Sequence, residues 1–291
     1  MIMSSAPTGT TVAESVGAYS APTLRRIVAA EWTKLLGLRS PIVIGLATVV
    51  GAGLLTYLSA NASSGDPGFD PTAGLLDGMS VAFIGPLVLG VLVGTGEFST
   101  GAFRSTFAAV PRRLPVLAAQ AIVTAGFVFL MAVLAAGTSV LGILPAAASR
   151  NITPDLFGDG TPQGLLGAVS FHVAMGLLGV AIGALLRRPV PALVTAIVLM
   201  LILPLVAVLA ADLTTDPLAA SRSGTVSAQT AAVNTVVTFT PIGAGSTLMA
   251  PGPSAEGGPD LGSWGALLVL AAWVALPLVP AAFRLRRRDL V

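Results

Sequence analysis

The sequence predicts an all-α integral membrane protein with six transmembrane helices, on three observations. Charged residues make up only 10% of the 291 and hydrophobic residues 54%, with a mean hydropathy of +0.90, whereas a soluble domain carries about 25% charged residues. Six apolar runs reach the length of about 20 residues that a helix needs to cross a bilayer. The basic residues sit in short clusters at the ends of those runs. They read as topology signals, so the net charge of +2 and a pI near 9.7 do not point to nucleic acid.

Residues 1–21 lack an apolar signal-peptide core and are expected to be a disordered cytoplasmic tail; residues 22–291 are expected to form a single transmembrane domain. The first element, over residues 22–39, places Leu24, Ile27, Val28, Leu35 and Leu38 on one helical face. Trp32 and Leu36 lie at its edge, and Arg25, Arg26 and Lys34 on or beside the other. That is the pattern of a helix lying in the membrane interface, with Trp32 suited to anchor it. A short cytoplasmic helix ending before the membrane is the alternative.

The six spans are expected at about 41–59, 74–95, 116–142, 164–186, 190–211 and 263–283. Apolar character runs from Leu114 to Ser149, enough for two short spans, and charge decides for one. With six spans and both termini inside, thirteen of the fifteen Lys and Arg residues are cytoplasmic, and only Arg150 and Arg222 lie outside. The same count rejects a seventh span at Ala231–Ala250, where Asn234, several Thr, Pro241, Gly243 and Gly245 would make a poor one. This part is expected to be short helices dipping into the outer leaflet, broken at Pro241 to Gly245. The outer loops 60–73 and 143–163 are rich in Gly, Pro, Asp and Ser. Pro86, Pro204, Pro277 and Pro280 should kink their spans, and Gly176, Gly179 and Gly183 should let the fourth span pack closely.

Chemistry is excluded more readily than assigned. With no Cys and one His, a disulfide scaffold, a thiol nucleophile and a Cys/His metal site drop out. A P-loop needs Gly-Lys-Ser/Thr, and the single Lys of the chain, Lys34, follows Glu-Trp-Thr. The chain itself is therefore not expected to be an enzyme. Asp77 and His172 are the ionisable residues within spans and would serve any proton relay. Asp77 falls near an outer end; His172 lies deeper, where a neutral imidazole hydrogen-bonded to a neighbouring helix is the simpler reading.

The polar interruption Gly96–Arg113 stands out. Phe103, Phe107 and Val110 recur at i, i+4 and i+7, with Thr100 and Arg104 four apart, which makes a short amphipathic helix at the cytoplasmic surface. Pro111 stops it, and Arg112 and Arg113 hold the start of the third span at the interface. Glu97, an acid at the inner membrane edge, needs a partner, for which Arg104 or an external cation is available.

These residues resemble the membrane subunit, or permease, of type-2 ATP-binding-cassette exporters, in the small bacterial form with a separate ATPase. Glu31-Trp32-Thr33-Lys34-Leu35 is similar to the family's interface helix, and Glu97-x-x-Thr100-Gly101-x-x-Arg104 with Pro111-Arg112-Arg113 to its first cytoplasmic loop. Thr240-Pro241-Ile242-Gly243-Ala244-Gly245 looks like its outer re-entrant segment, and Arg286-Arg287-Arg288-Asp289 like its C-terminal end. The resemblance implies a plasma-membrane permease with both termini cytoplasmic, working as a homodimer or as a heterodimer with a related permease. It would be bound to nucleotide-binding ATPase subunits that hold the ATP and Mg, with no cofactor on this chain. The helix around Ser99 to Val110 would be the coupling element, and the turn Arg187-Arg188-Pro189 a second, smaller contact. Spans of Ala, Val, Leu and Gly favour a lipophilic or amphiphilic cargo. A proton-coupled secondary transporter and a non-transporting membrane sensor or immunity protein are the alternatives.

Overall fold

The computed structural model describes residues 23–99, 113–158, 160–202, 204–206, 209, 228–250 and 257–287. It is all-helical over these residues, and six helices are long and apolar enough to cross a membrane: Arg39–Ser63, Asp77–Phe98, Leu114–Ser149, Thr161–Leu186, Pro189–Val206 and Gly262–Arg286. In chain order the elements are α1 (Leu24–Gly37), α2 (Arg39–Ser63), α3 (Asp77–Ala82), α4 (Ile84–Ser99), α5 (Arg113–Ser149), α6 (Thr161–Leu186) and α7 (Pro189–Ile197). A π-helical turn (Val198–Ile202) follows, and then α8 (Ala228–Thr238), α9 (Pro241–Met249) and α10 (Gly262–Arg287).

The prolines act as their chemistry requires. Pro86 has no N–H to offer Ala82, and the second span breaks at Phe83 into α3 and α4. Pro204 likewise removes the donor that would meet the Met200 carbonyl, and the π turn ends at Ile202, two residues ahead of it. The third span is one unbroken helix that runs through Pro145, which resolves the choice between one long span and two short ones.

α6 is the central helix. Phe171, His172, Met175, Leu178 and Val180 are buried along it, and its closest contact is with α4. There Gly90 lies against the Gly176 carbonyl, and Gly179 against that of Leu87. A Cβ built on Gly90 would stand 2.0 Å from the Gly176 oxygen, and one on Gly179 2.3 Å from the Leu87 oxygen. Backbones can approach this closely only without side chains. The shared core joins Leu87 and Val91 of α4, Met175 and Leu178 of α6, Met200 of the π turn and Leu248 of α9. Leu46 of α2, Leu134 and Leu141 of α5, Val190 of α7 and Leu268 of α10 are exposed, as the rim helices of a bundle in lipid would leave them.

α1 packs on the start of α5 through Ile27, Val116 and Ala119. This marks one end of the bundle, which also holds the end of α4 and the α6–α7 turn. The loops at 64–76 and 150–158 form the opposite end.

Candidate functional site

At the α1 end, three ionisable side chains meet beneath the helices. Packing fixes the register of α1: Ile27 and Leu35 are buried, and the Trp32 ring comes within 3.8 Å of the point where Gly126 of α5 would carry a Cβ. Lys34 is thereby brought beside Glu97 in the last turn of α4. The two form a close ion pair across 63 residues of sequence, and Lys34 Nζ also lies 3.5 Å from Glu31 Oε2, one turn back on its own helix.

Glu97 is only 3% exposed and Lys34 44% exposed, so the pair runs from the interior to the surface. An acid at the C-terminal end of a helix faces the negative end of the helix dipole, which makes the ammonium necessary there. Glu97 Oε2 is buried and has no hydrogen-bond partner among the described residues. Burial pushes the Glu31 carboxyl above its ordinary value; Lys34 pulls it back, Glu97 adds to the rise, and Gln120 of α5 lowers it by hydrogen bonding. Burial alone would depress the Lys34 ammonium, but the hydrogen bond to Glu97 and the attraction of both carboxylates leave it raised. A small cavity of about 60 Å³ adjoins the cluster, lined by Glu31, Lys34, Gln120 and apolar neighbours such as Leu92 and Val123.

The α6–α7 turn is tied into the same end. Arg187 takes a left-handed conformation, φ 59°, and its N–H closes α6 on the Gly183 carbonyl at 2.8 Å. Arg188 is extended and Pro189 opens α7 at its first position. The Arg187 guanidinium lies over the Phe98 ring, 4.9 Å from its centroid, and Arg284 of α10 donates to the Leu185 carbonyl at 2.6 Å. The tight turn expected at Arg187-Arg188-Pro189 is thus a junction of α4, α6 and α10.

Of the other residues singled out in the sequence, Thr100, Gly101, Phe103, Arg104, Phe107, Pro111 and Arg112 lie outside the described residues, and Arg113 begins α5. The partner expected for Glu97 was Arg104 or an external cation; the described partner is Lys34. Its signal in the sequence was the lone lysine of an oily chain, for which an acid outside its own helix had to be sought.

At the opposite end, Asp77 is the first residue of α3. Its carboxylate accepts a hydrogen bond from Ser59 of α2 and borders a cavity of about 560 Å³, shared with Asp70, Thr161 and Ser246. His172 departs from expectation. Its Nδ1 donates to the Ala168 carbonyl of its own helix at 2.8 Å rather than to a neighbouring one. A carbonyl can only accept, which fixes the proton on Nδ1. The break expected at Pro241 to Gly245 also shifts. Pro241 is the first residue of α9, a place where its missing N–H costs nothing, and the chain turns at Phe239 and Thr240 instead. Thr240 caps the new helix, accepting from the Gly243 N–H at 3.0 Å. Phe239 accepts a bond from Trp273 Nε1 at 2.8 Å, eleven residues into α10, and α9 then runs to the start of α6, with its Met249 carbonyl beside Gly164.

The architecture and its apolar helices define a multi-pass helical protein of membrane type. No family model matches the chain, and no curated protein matches it.

Proposed function

We propose that the chain is the permease subunit of a type-2 ATP-binding-cassette exporter, moving a lipophilic or amphiphilic cargo with energy from a separate ATPase. The observation that carries this reading is the Lys34–Glu97 ion pair. It fastens α1 to the helix end from which the amphipathic Ser99–Val110 stretch departs, so a push on that stretch has a rigid receiver. In this reading the α1 end is cytoplasmic in agreement with its arginines, α1 lies in the inner interface, and the α8–α9 hairpin is the re-entrant segment of the outer leaflet. The depth at which Phe239 meets Trp273 on α10 supports that hairpin. An apolar groove of about 640 Å³ along α5, α6 and α10, with Phe129, Val173 and Leu270 in its walls, suits an oily cargo.

The experiment is purification in mild detergent with identification of co-purifying chains, followed by reconstitution. An ATPase with a P-loop should accompany the chain, and Glu97→Ala with Arg104→Ala should separate ATP hydrolysis from export. Unchanged assembly and export in that variant would sink the proposal.

A second reading, proton-coupled transport, draws on His172, which is fully buried with Nε2 unpartnered among the described residues. It requires that His172→Ala abolish pH-dependent transport while no ATPase co-purifies. A sensor or immunity protein would move no cargo with every partner present.

A further inference from the structure

Glu31, Lys34 and Glu97 carry one excess negative charge when all three are ionised. Glu97 is 3% and the Glu31 side chain 12% exposed. One added proton makes the cluster neutral.

The consequences fall unequally on the three groups. Glu31 and Lys34 share a helix, so their attraction persists whether or not α1 is docked. Docking takes water from Glu31 and brings Glu97 near, both of which penalise the anion, and it adds a hydrogen bond from Gln120 that favours the anion but does not offset them, so the carboxyl stays raised. Lys34–Glu97 is the attraction that crosses between helices, and an ionised Glu31 competes for its ammonium. The C-terminal dipole of α4 and Glu97 Oε2, which has no hydrogen-bond partner among the described residues, deepen the negative potential. Among the described residues, the charged groups acting on Glu31 are Lys34 on its own helix and Glu97 on α4. From α5 the neutral Gln120 faces it, and from α2 the cavity wall is the uncharged Pro41. Glu31, 12% exposed, keeps its own access to solvent protons.

We propose that Glu31, Lys34 and Glu97 form a proton-operated latch, in which uptake of a solvent proton by the Glu31 carboxylate fastens α1 to the end of α4 and its release loosens the joint. Docking and protonation of Glu31 favour each other by linkage. The Glu31 carboxyl is raised from 4.5 in the docked state. The contribution of Glu31 to docking is therefore complete below that value and is lost as pH rises through the raised one. The Lys34 ammonium, also raised, stays charged throughout. That the latch controls energy coupling rests on the permease reading; the latch itself does not.

Trp32 reports the joint because its ring rests beside Gly126 of α5. The other two tryptophans, Trp264 and Trp273, are replaced by Phe, and acrylamide quenching of Trp32 is followed from about pH 4 to pH 9, with no ATPase present. The parent should show one step of increased quenching as pH rises. Glu31→Gln should hold Trp32 protected and flat across the range, while Glu31→Asp, which retains a carboxylate, should keep a step. A parent without a step, a step surviving in Glu31→Gln, or a flat profile in both variants overturns the latch. If the step appears as expected but no ATPase co-purifies with the chain, the latch stands and the permease reading fails.

Discussion

Arg187 holds a left-handed backbone at the end of α6 and spreads its guanidinium over the ring of Phe98 on α4. These features oppose each other energetically. The conformation costs a residue other than glycine about 1 kcal/mol, and a cation on an aromatic face returns about 1 kcal/mol. Arg187→Ala should lose the contact and keep the strain, lowering stability by about 1 kcal/mol, whereas Arg187→Gly should lose both and come out near neutral. Thermal unfolding of the two variants in one detergent checks the order. If Gly is the worse of the two, the left-handed backbone at Arg187 stores no strain for glycine to relieve.

The Lys34–Glu97 pair should behave as a buried charge with a half-exposed partner. Lys34→Met strands a carboxylate that is 3% exposed, and breaking a fully buried pair costs about 3–5 kcal/mol. Exposure of the lysine discounts this to about 2 kcal/mol. Adding Glu97→Gln to Lys34→Met should restore most of the loss, since the stranded charge is then gone. A double-mutant cycle on thermal stability reads the coupling directly; additive losses would mean that the two residues do not depend on each other.

Why this pair escaped a reading of the sequence, when the six spans did not, follows from what each signal is made of. A span is a local property: about 20 apolar residues in a row identify themselves, and Pro86 and Pro204 mark the places where their helices change. Lys34 and Glu97 are 63 residues apart, and helical periodicity relates only residues within a turn or two. Arg104 was legible as a partner for Glu97 because it stands seven residues away. Lys34 became one only when Ile27 and Leu35 had fixed which side of α1 meets α5. His172 shows the same limit from the other direction. Its depth was legible, but whether its Nδ1 would turn to its own helix or to a neighbour depends on packing around α6.

The glycines separate close approach from mere flexibility. Gly90→Ala would drive a methyl to 2.0 Å from the Gly176 carbonyl, backbone against backbone, and the α4–α6 pair would have to part. A cost of about 3 kcal/mol or more is expected, at the upper end for overpacking. Gly137 on α5 has nothing within 4 Å of its Cβ position, so Gly137→Ala should be neutral or stabilise by about 0.5–1 kcal/mol through reduced backbone entropy of the unfolded chain. Unfolding midpoints of the two single variants settle the contrast; equal effects would show that α4 and α6 are not in this contact.

The α8–α9 hairpin turns on two hydrogen bonds that can be removed one at a time. Thr240→Ala deletes the acceptor for the Gly243 N–H, where Pro241 already leaves α9 one donor fewer to satisfy; about 1 kcal/mol should be lost, and Thr240→Ser should keep most of it. Trp273→Phe keeps an aromatic ring, though a smaller one, and removes the donor to the Phe239 carbonyl, at a net cost of about 1 kcal/mol for the hydrogen bond. Because Thr240 is buried and immediately follows the residue that Trp273 holds, both changes loosen the same turn and should couple rather than add. Hydrogen exchange at residues 237–243 is the measurement that distinguishes this from a global loss of stability. Faster exchange confined to the turn is expected in each single variant. Acceleration spread equally over α6 and α10 would mean that the hairpin is not a separately opening unit.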